Sequence, residues 1–97
     1  MTEKKQIVRV SPGALYREVQ GEAVILHLDS GEYFGLDSIA NRAWQLVVEK
    51  GDLAQVEAAM VEEFDVDEGT LSIDLAQFVE ELVTKRLVDI NEEFLAP

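Results

Sequence analysis

The sequence predicts an α+β domain: a three-stranded antiparallel β-meander followed by three α-helices, close to a winged helix-turn-helix with the sheet placed first. Three observations carry this. The apolar period is near 2 over residues 14–36 and changes to 3.6 from residue 37 onward. Two turn signals, Gln20-Gly21 and Asp29-Ser30-Gly31, cut the first stretch into three pieces. Gly51 and the loop sequence "DVDEG" cut the second stretch into three more. A chain of 97 residues, 47% of them apolar, suits one small folded domain with a modest core.

Residues 1–13 read as a flexible arm that ends at the turn signal Pro12-Gly13, with Ile7, Val8 and Val10 able to add a short strand. "ALYREV" is the first strand of the meander. "EAVILHL" is the second, rich in the β-branched and large apolar residues that strands favour. "EYFGL" is the third. Asp37 or Ser38 can then accept hydrogen bonds from the free N–H groups of a helix start. Ile39, Ala40, Ala43, Trp44 and Val47 follow on one helical face, and Gly51 closes the helix. Asp52 caps a second helix with Gln55 as capping-box partner, and Leu53, Val56, Met60 and Phe64 form its stripe. Thr70 or Ser72 starts a third helix with Asp74 in its first turn and a stripe of Leu71, Leu75, Phe78, Val79 and Leu82. "RLVDI" is a short extended piece, and residues 91–97 read as a tail, which bounds the domain at 14–90.

Charge narrows the function classes. Eight basic against twenty acidic residues give a net charge of −12. From Asp52 to Thr84 there are ten acids and no Lys or Arg, a surface that repels a phosphate backbone and argues against nucleic acid as a partner. A winged-helix DNA reader needs a basic recognition helix, whereas Asp74, Glu80 and Glu81 lie on the last helix here. The absence of cysteine excludes disulfides, thiolate metal sites and a cysteine nucleophile. The first residues lack the apolar run of a signal peptide, and no stretch approaches the roughly 18 apolar residues of a membrane helix. The expectation is a cytoplasmic protein without membrane contact.

No catalytic constellation stands out. "GLDSI" matches the short prosthetic-group sequence of an acyl carrier protein, where the serine carries phosphopantetheine. Carrier proteins place a helix and loop before that serine, whereas strand, turn and strand precede Ser38, so the expected role of Asp37-Ser38 is a helix cap. His27 stands alone in mid-strand and is expected to be structural. No His/Asp/Glu cluster has metal-ligand spacing, and the acidic pairs Glu62-Glu63, Glu80-Glu81 and Glu92-Glu93 splay apart on a helix.

"AVILHLDSGEYFGLDSIANRAWQLV" and "VEEFDVDEGTLSIDLAQFVEELVTKRLV" resemble, in their order of elements, the PqqD-like family. Carriers of the resemblance include an aromatic-rich strand ending in Leu36-Asp37, the loop Phe64-Asp65-Val66, and Leu87-Val88 after the last helix. Arg86 departs from the pattern, standing where the family often has Gly. The family are recognition elements for leader peptides of ribosomally made, modified peptides. The resemblance implies a peptide-binding module with no catalysis, no cofactor and no metal. It implies a leader peptide added as a strand beside "EYFGL", with side chains in a groove against the last helix. By position that places Glu32, Tyr33, Phe34, Gly35 and Leu36 on the strand side, and Asp74, Gln77, Phe78, Glu81 and Lys85 on the helix side. The implied partners are a precursor leader peptide and a leader peptidase of lasso-peptide biosynthesis, or, as the alternative, a radical SAM enzyme. "EYFGL" ends a meander, so it is an edge with free backbone groups, and Gly35 leaves room for a partner backbone.

Overall fold

The computed structural model describes residues 4–20 and 22–94. The order is β1 (Lys4–Val10), β2 (Ala14–Val19), β3 (Glu22–His27), β4 (Tyr33–Leu36), α1 (Ser38–Lys50), α2 (Leu53–Glu63), α3 (Glu68–Thr84) and β5 (Val88–Phe94). β2, β3 and β4 form the expected antiparallel sheet in the order β2-β3-β4. Val19 pairs with Glu22 across a two-residue connection, and Gln20 there takes a positive φ of 53°. Gly21 of the expected turn lies outside the described residues.

The β3–β4 turn is wider than Asp29-Ser30-Gly31 alone. His27 N–H bonds the Glu32 carbonyl at 2.8 Å, so Leu28 joins the loop, and Gly31 supplies the positive φ of 75°. His27 is buried, and its Nδ1 accepts from the Ser30 N–H at 3.2 Å. The lone histidine thus fastens the loop that leads into β4.

The helix starts are set by aspartates. Asp37 Oδ1 accepts from the Ala40 N–H at 2.9 Å, so Asp37 is the cap of α1 and Ser38 its first residue. Asp52 accepts from the Ala54 N–H at 3.0 Å. α3 starts ahead of the expected Thr70 or Ser72: Asp67 caps it, accepting from the Thr70 N–H at 3.0 Å. Glu68 then occupies the first turn, where the helix dipole favours an anion. α3 ends in paired back-bonds, Arg86 N–H to the Val83 carbonyl and Leu87 N–H to the Leu82 carbonyl, each 2.9 Å. This closure needs a left-handed residue after the cap, and Arg86 fills it at φ 61°. That is the physical reason a glycine suits this position, and why arginine here carries strain.

The largest departure concerns the two ends of the chain. The flexible arm expected at 1–13 and the tail expected at 91–97 contribute paired strands instead: β1 and β5 form an antiparallel ribbon from Lys4↔Phe94 to Val10↔Val88. Val8 is 3% exposed, and its N–H bonds the Gly51 carbonyl at 2.8 Å, which seats the ribbon on the α1–α2 corner. Val8 is the buried anchor of β1, while Gln6 and Val10, which share its strand parity, are exposed.

The core joins Ile25 and Leu36 of the sheet to Trp44, Leu46 and Val47 of α1, Val56 and Met60 of α2, Leu75, Val79 and Leu82 of α3, and Leu87 and Val88 after it. Ile39, expected on the buried face of α1, is 53% exposed in the helix's first turn. Leu46 replaces it in the core. Tyr16 stacks on Trp44 with ring centroids 6.4 Å apart. Its hydroxyl lies 2.6 Å from Asn41 Oδ1, and Asn41 Nδ2 donates to Glu18 Oε2 at 2.9 Å, tying β2 to α1. The hydrogen bonds from Asn41 and Tyr16 hold the Glu18 carboxyl below its ordinary range.

Candidate peptide-binding edge

β4 pairs with β3 on one side and with no strand on the other, among the described residues. The register fixes which backbone groups are free. Ala23↔Leu36, Val24↔Gly35, Ile25↔Phe34 and Leu26↔Tyr33 are opposite pairs, and His27 N–H bonds Glu32. Bonded and non-bonded pairs alternate in an antiparallel ladder. Phe34 and Leu36 therefore turn their N–H and C=O groups toward β3, as does the Glu32 carbonyl, while the Glu32 N–H donates to Ser30 Oγ at 3.2 Å. Tyr33 and Gly35 turn theirs outward. The Leu28 N–H, bonded to Gly13 at 2.9 Å on the β2 side, agrees with the same alternation in β3. The sequence left this parity open; the register decides it.

Side chains alternate as well. Phe34 points to the helical side and meets Phe78 of α3, with ring centroids 6.1 Å apart and planes tilted by 59°. Both rings are half-buried, and their contact joins β4 to α3. The Lys85 ammonium lies 6.0 Å from the Phe34 ring centroid, within reach of cation–π attraction. The start of β4 lies by the end of α3. There Glu32, Asp29, His27, Thr84, Lys85 and Arg86 line a concavity of about 570 Å³. A second, of about 300 Å³, is lined by Gln77, Glu80, Glu81, Thr84 and Lys85.

Of the ten residues expected at the site, Phe34 meets both Phe78 and Lys85, and Glu32 shares a concavity with Lys85. Gln77 and Glu81 are exposed on the α3 face that flanks them, and Asp74 stands one turn before Phe78. Tyr33 is 71% exposed and projects from the opposite side of the sheet. A Cβ built on Gly35 would meet nothing within 4 Å, so the space beside it is open. Leu36 is 2% exposed and belongs to the core rather than the groove. Thr84 and Arg86, not among the ten expected site residues, also line this concavity at the α3 terminus. Among the described residues no group of His, Asp and Glu could hold a metal ion, and no helix is long and apolar enough to cross a membrane.

Comparison with known proteins follows the same outline. The sequence profile of the family described as Coenzyme PQQ synthesis protein D (PqqD) matches residues 22–88, from the start of β3 to the start of β5. The structure of TbiB1 in complex with the TbiA(beta) leader peptide is similar at a TM-score of 0.79 and 33% identity, covering 84% of this chain and 94% of that one. A lasso peptide synthetase B1 complexed with its leader peptide shares the fold at a TM-score of 0.77 and 23% identity, covering 84% of this chain and 96% of that one. No curated protein sequence matches the chain.

Proposed function

The chain belongs to the PqqD family, and from that premise we propose that it is a recognition element for the leader peptide of a ribosomally made precursor. It takes the leader as a fourth strand on the outer edge of β4 and presents the precursor to a partner enzyme. The observation that carries this reading is the edge itself: outward backbone groups at Tyr33 and Gly35 beside the Phe34–Phe78 contact that joins β4 to α3. Strand addition at a free edge draws affinity from main-chain hydrogen bonds and selectivity from pockets for alternate side chains. The free edge of β4 and the Phe34–Phe78 pair beside it support both parts of this reading. TbiB1, similar over most of its length, is a leader-peptide complex, which supports the same ligand class here.

The role is one of binding. Chemistry on the precursor falls to the partner. Following the resemblance in its sequence, we assign the chain to the lasso-peptide systems with a leader peptidase as partner; the alternative is a radical SAM enzyme. The test is a fluorescence-anisotropy titration with the labelled leader of the precursor encoded beside the chain, followed by co-purification with each candidate enzyme. Saturable binding that a scrambled leader does not reproduce is expected. Equal binding of the scrambled peptide overturns the proposal.

A further inference from the structure

Lys85 is a base withheld from the acids around it. From residue 51 to the end, Lys85 and Arg86 are the only bases, among thirteen acids. Glu81 stands four residues before Lys85, the arrangement in which Glu and Lys pair best on a helix. Yet among the described residues no carboxylate lies within 4.0 Å of the Lys85 ammonium, which is half-buried and drawn over Phe34 instead. It stands where the two concavities meet, at the mouth of the proposed groove.

Resting on the strand-addition reading, we propose that Lys85 is a specificity-determining residue. It selects leaders that carry an aspartate or glutamate two residues from the apolar side chain seated on Phe34 and Phe78. The spacing follows from geometry. Leader residues facing α3 recur every second position, about 6.6–6.8 Å apart. The ring of Phe34 and the Lys85 ammonium are separated by 6.0 Å. The rest of the groove sharpens the choice: Asp74, Glu80 and Glu81 are exposed along α3, so an acid at other positions meets like charge. One position accepts a carboxylate and its neighbours reject it.

A library of random peptides displayed on their encoding mRNA is selected against the immobilised full chain, against Lys85→Met and against Lys85→Glu, each first checked by its thermal melt. The parent should enrich an apolar anchor with Asp or Glu two residues away, and deplete acids elsewhere. Lys85→Met should keep the anchor and lose the acid. Lys85→Glu should bring Lys or Arg to the same position. A resynthesised peptide with Gln in place of the acid should bind the parent roughly fivefold more weakly, and Lys85→Met no differently. If Lys85→Glu does not fold, Lys85→Met with the peptide pair decides. An anchored motif with the same charge profile in all variants overturns the role of Lys85 while leaving strand addition standing. Absence of any extended, anchored motif overturns both.

Discussion

Proline placed singly along β4 separates the inner from the outer backbone groups. Phe34→Pro removes an N–H that bonds to the Ile25 carbonyl, and Ile25 is 0% exposed, so that carbonyl loses its partner without gaining water. The lost bond costs about 1 kcal/mol and the unsatisfied carbonyl about 1–3 kcal/mol. The lost ring contact with Phe78 adds about 1 kcal/mol. A total of about 3–5 kcal/mol compares with about 5–15 kcal/mol for a whole domain, and lowers the melting temperature by roughly 15–30 °C. Tyr33→Pro and Gly35→Pro remove N–H groups that face outward, and Gly35 has open space at its Cβ. Both variants should stay folded, with melts close to the parent. Each deprives a leader carbonyl of its donor, at about 1–1.4 kcal/mol, so leader affinity should fall about fivefold to tenfold. Phe34→Ala controls for the ring. The assays are circular dichroism melts and leader titration by fluorescence anisotropy. A Phe34→Pro variant as stable as the parent refutes the register. Folded Tyr33→Pro and Gly35→Pro variants that bind the leader undiminished refute pairing on this edge.

Three further outcomes follow from the fold. Asp37→Ala should cost about 0.5–2 kcal/mol, whereas Ser38→Ala stays within about 0.5 kcal/mol, and mass spectrometry after treatment with a phosphopantetheinyl transferase should find Ser38 unmodified. Equal costs at the two positions would contradict the cap geometry. Arg86→Gly relieves the left-handed backbone after α3 and should raise stability by about 0.5–1 kcal/mol in a denaturant titration; an unchanged midpoint would mean the strain is absorbed elsewhere. Val8→Asp buries an unpaired carboxylate under the ribbon and should cost about 3 kcal/mol or more, while Val10→Asp, at a 37% exposed position, should be mild. Two equally mild substitutions would show that the ribbon does not hold the core.

Short-range signals determined most of this protein. The switch from period 2 to period 3.6 at residue 37, the turn residues and the capping aspartates each act within a few residues, so one sequence suffices to place three strands before three helices. The family resemblance implies that the aromatic strand and the last helix are the two sides of a peptide site, while periodicity alone places Phe78 on the apolar stripe of its own helix. Long-range geometry decided the rest. β1 and β5 find each other across nearly the whole chain, and neither carries a period strong enough to announce a partner that distant. Ile39 fits the apolar stripe of α1 but is left largely exposed by the tertiary packing. Which N–H groups of β4 face outward depends on register, and a shift of one residue would exchange them all. Lys85 has a helical partner in Glu81 by sequence and a ring from another element in space. Packing brings Phe34 beneath it, and no local rule counts a contact between residues 34 and 85.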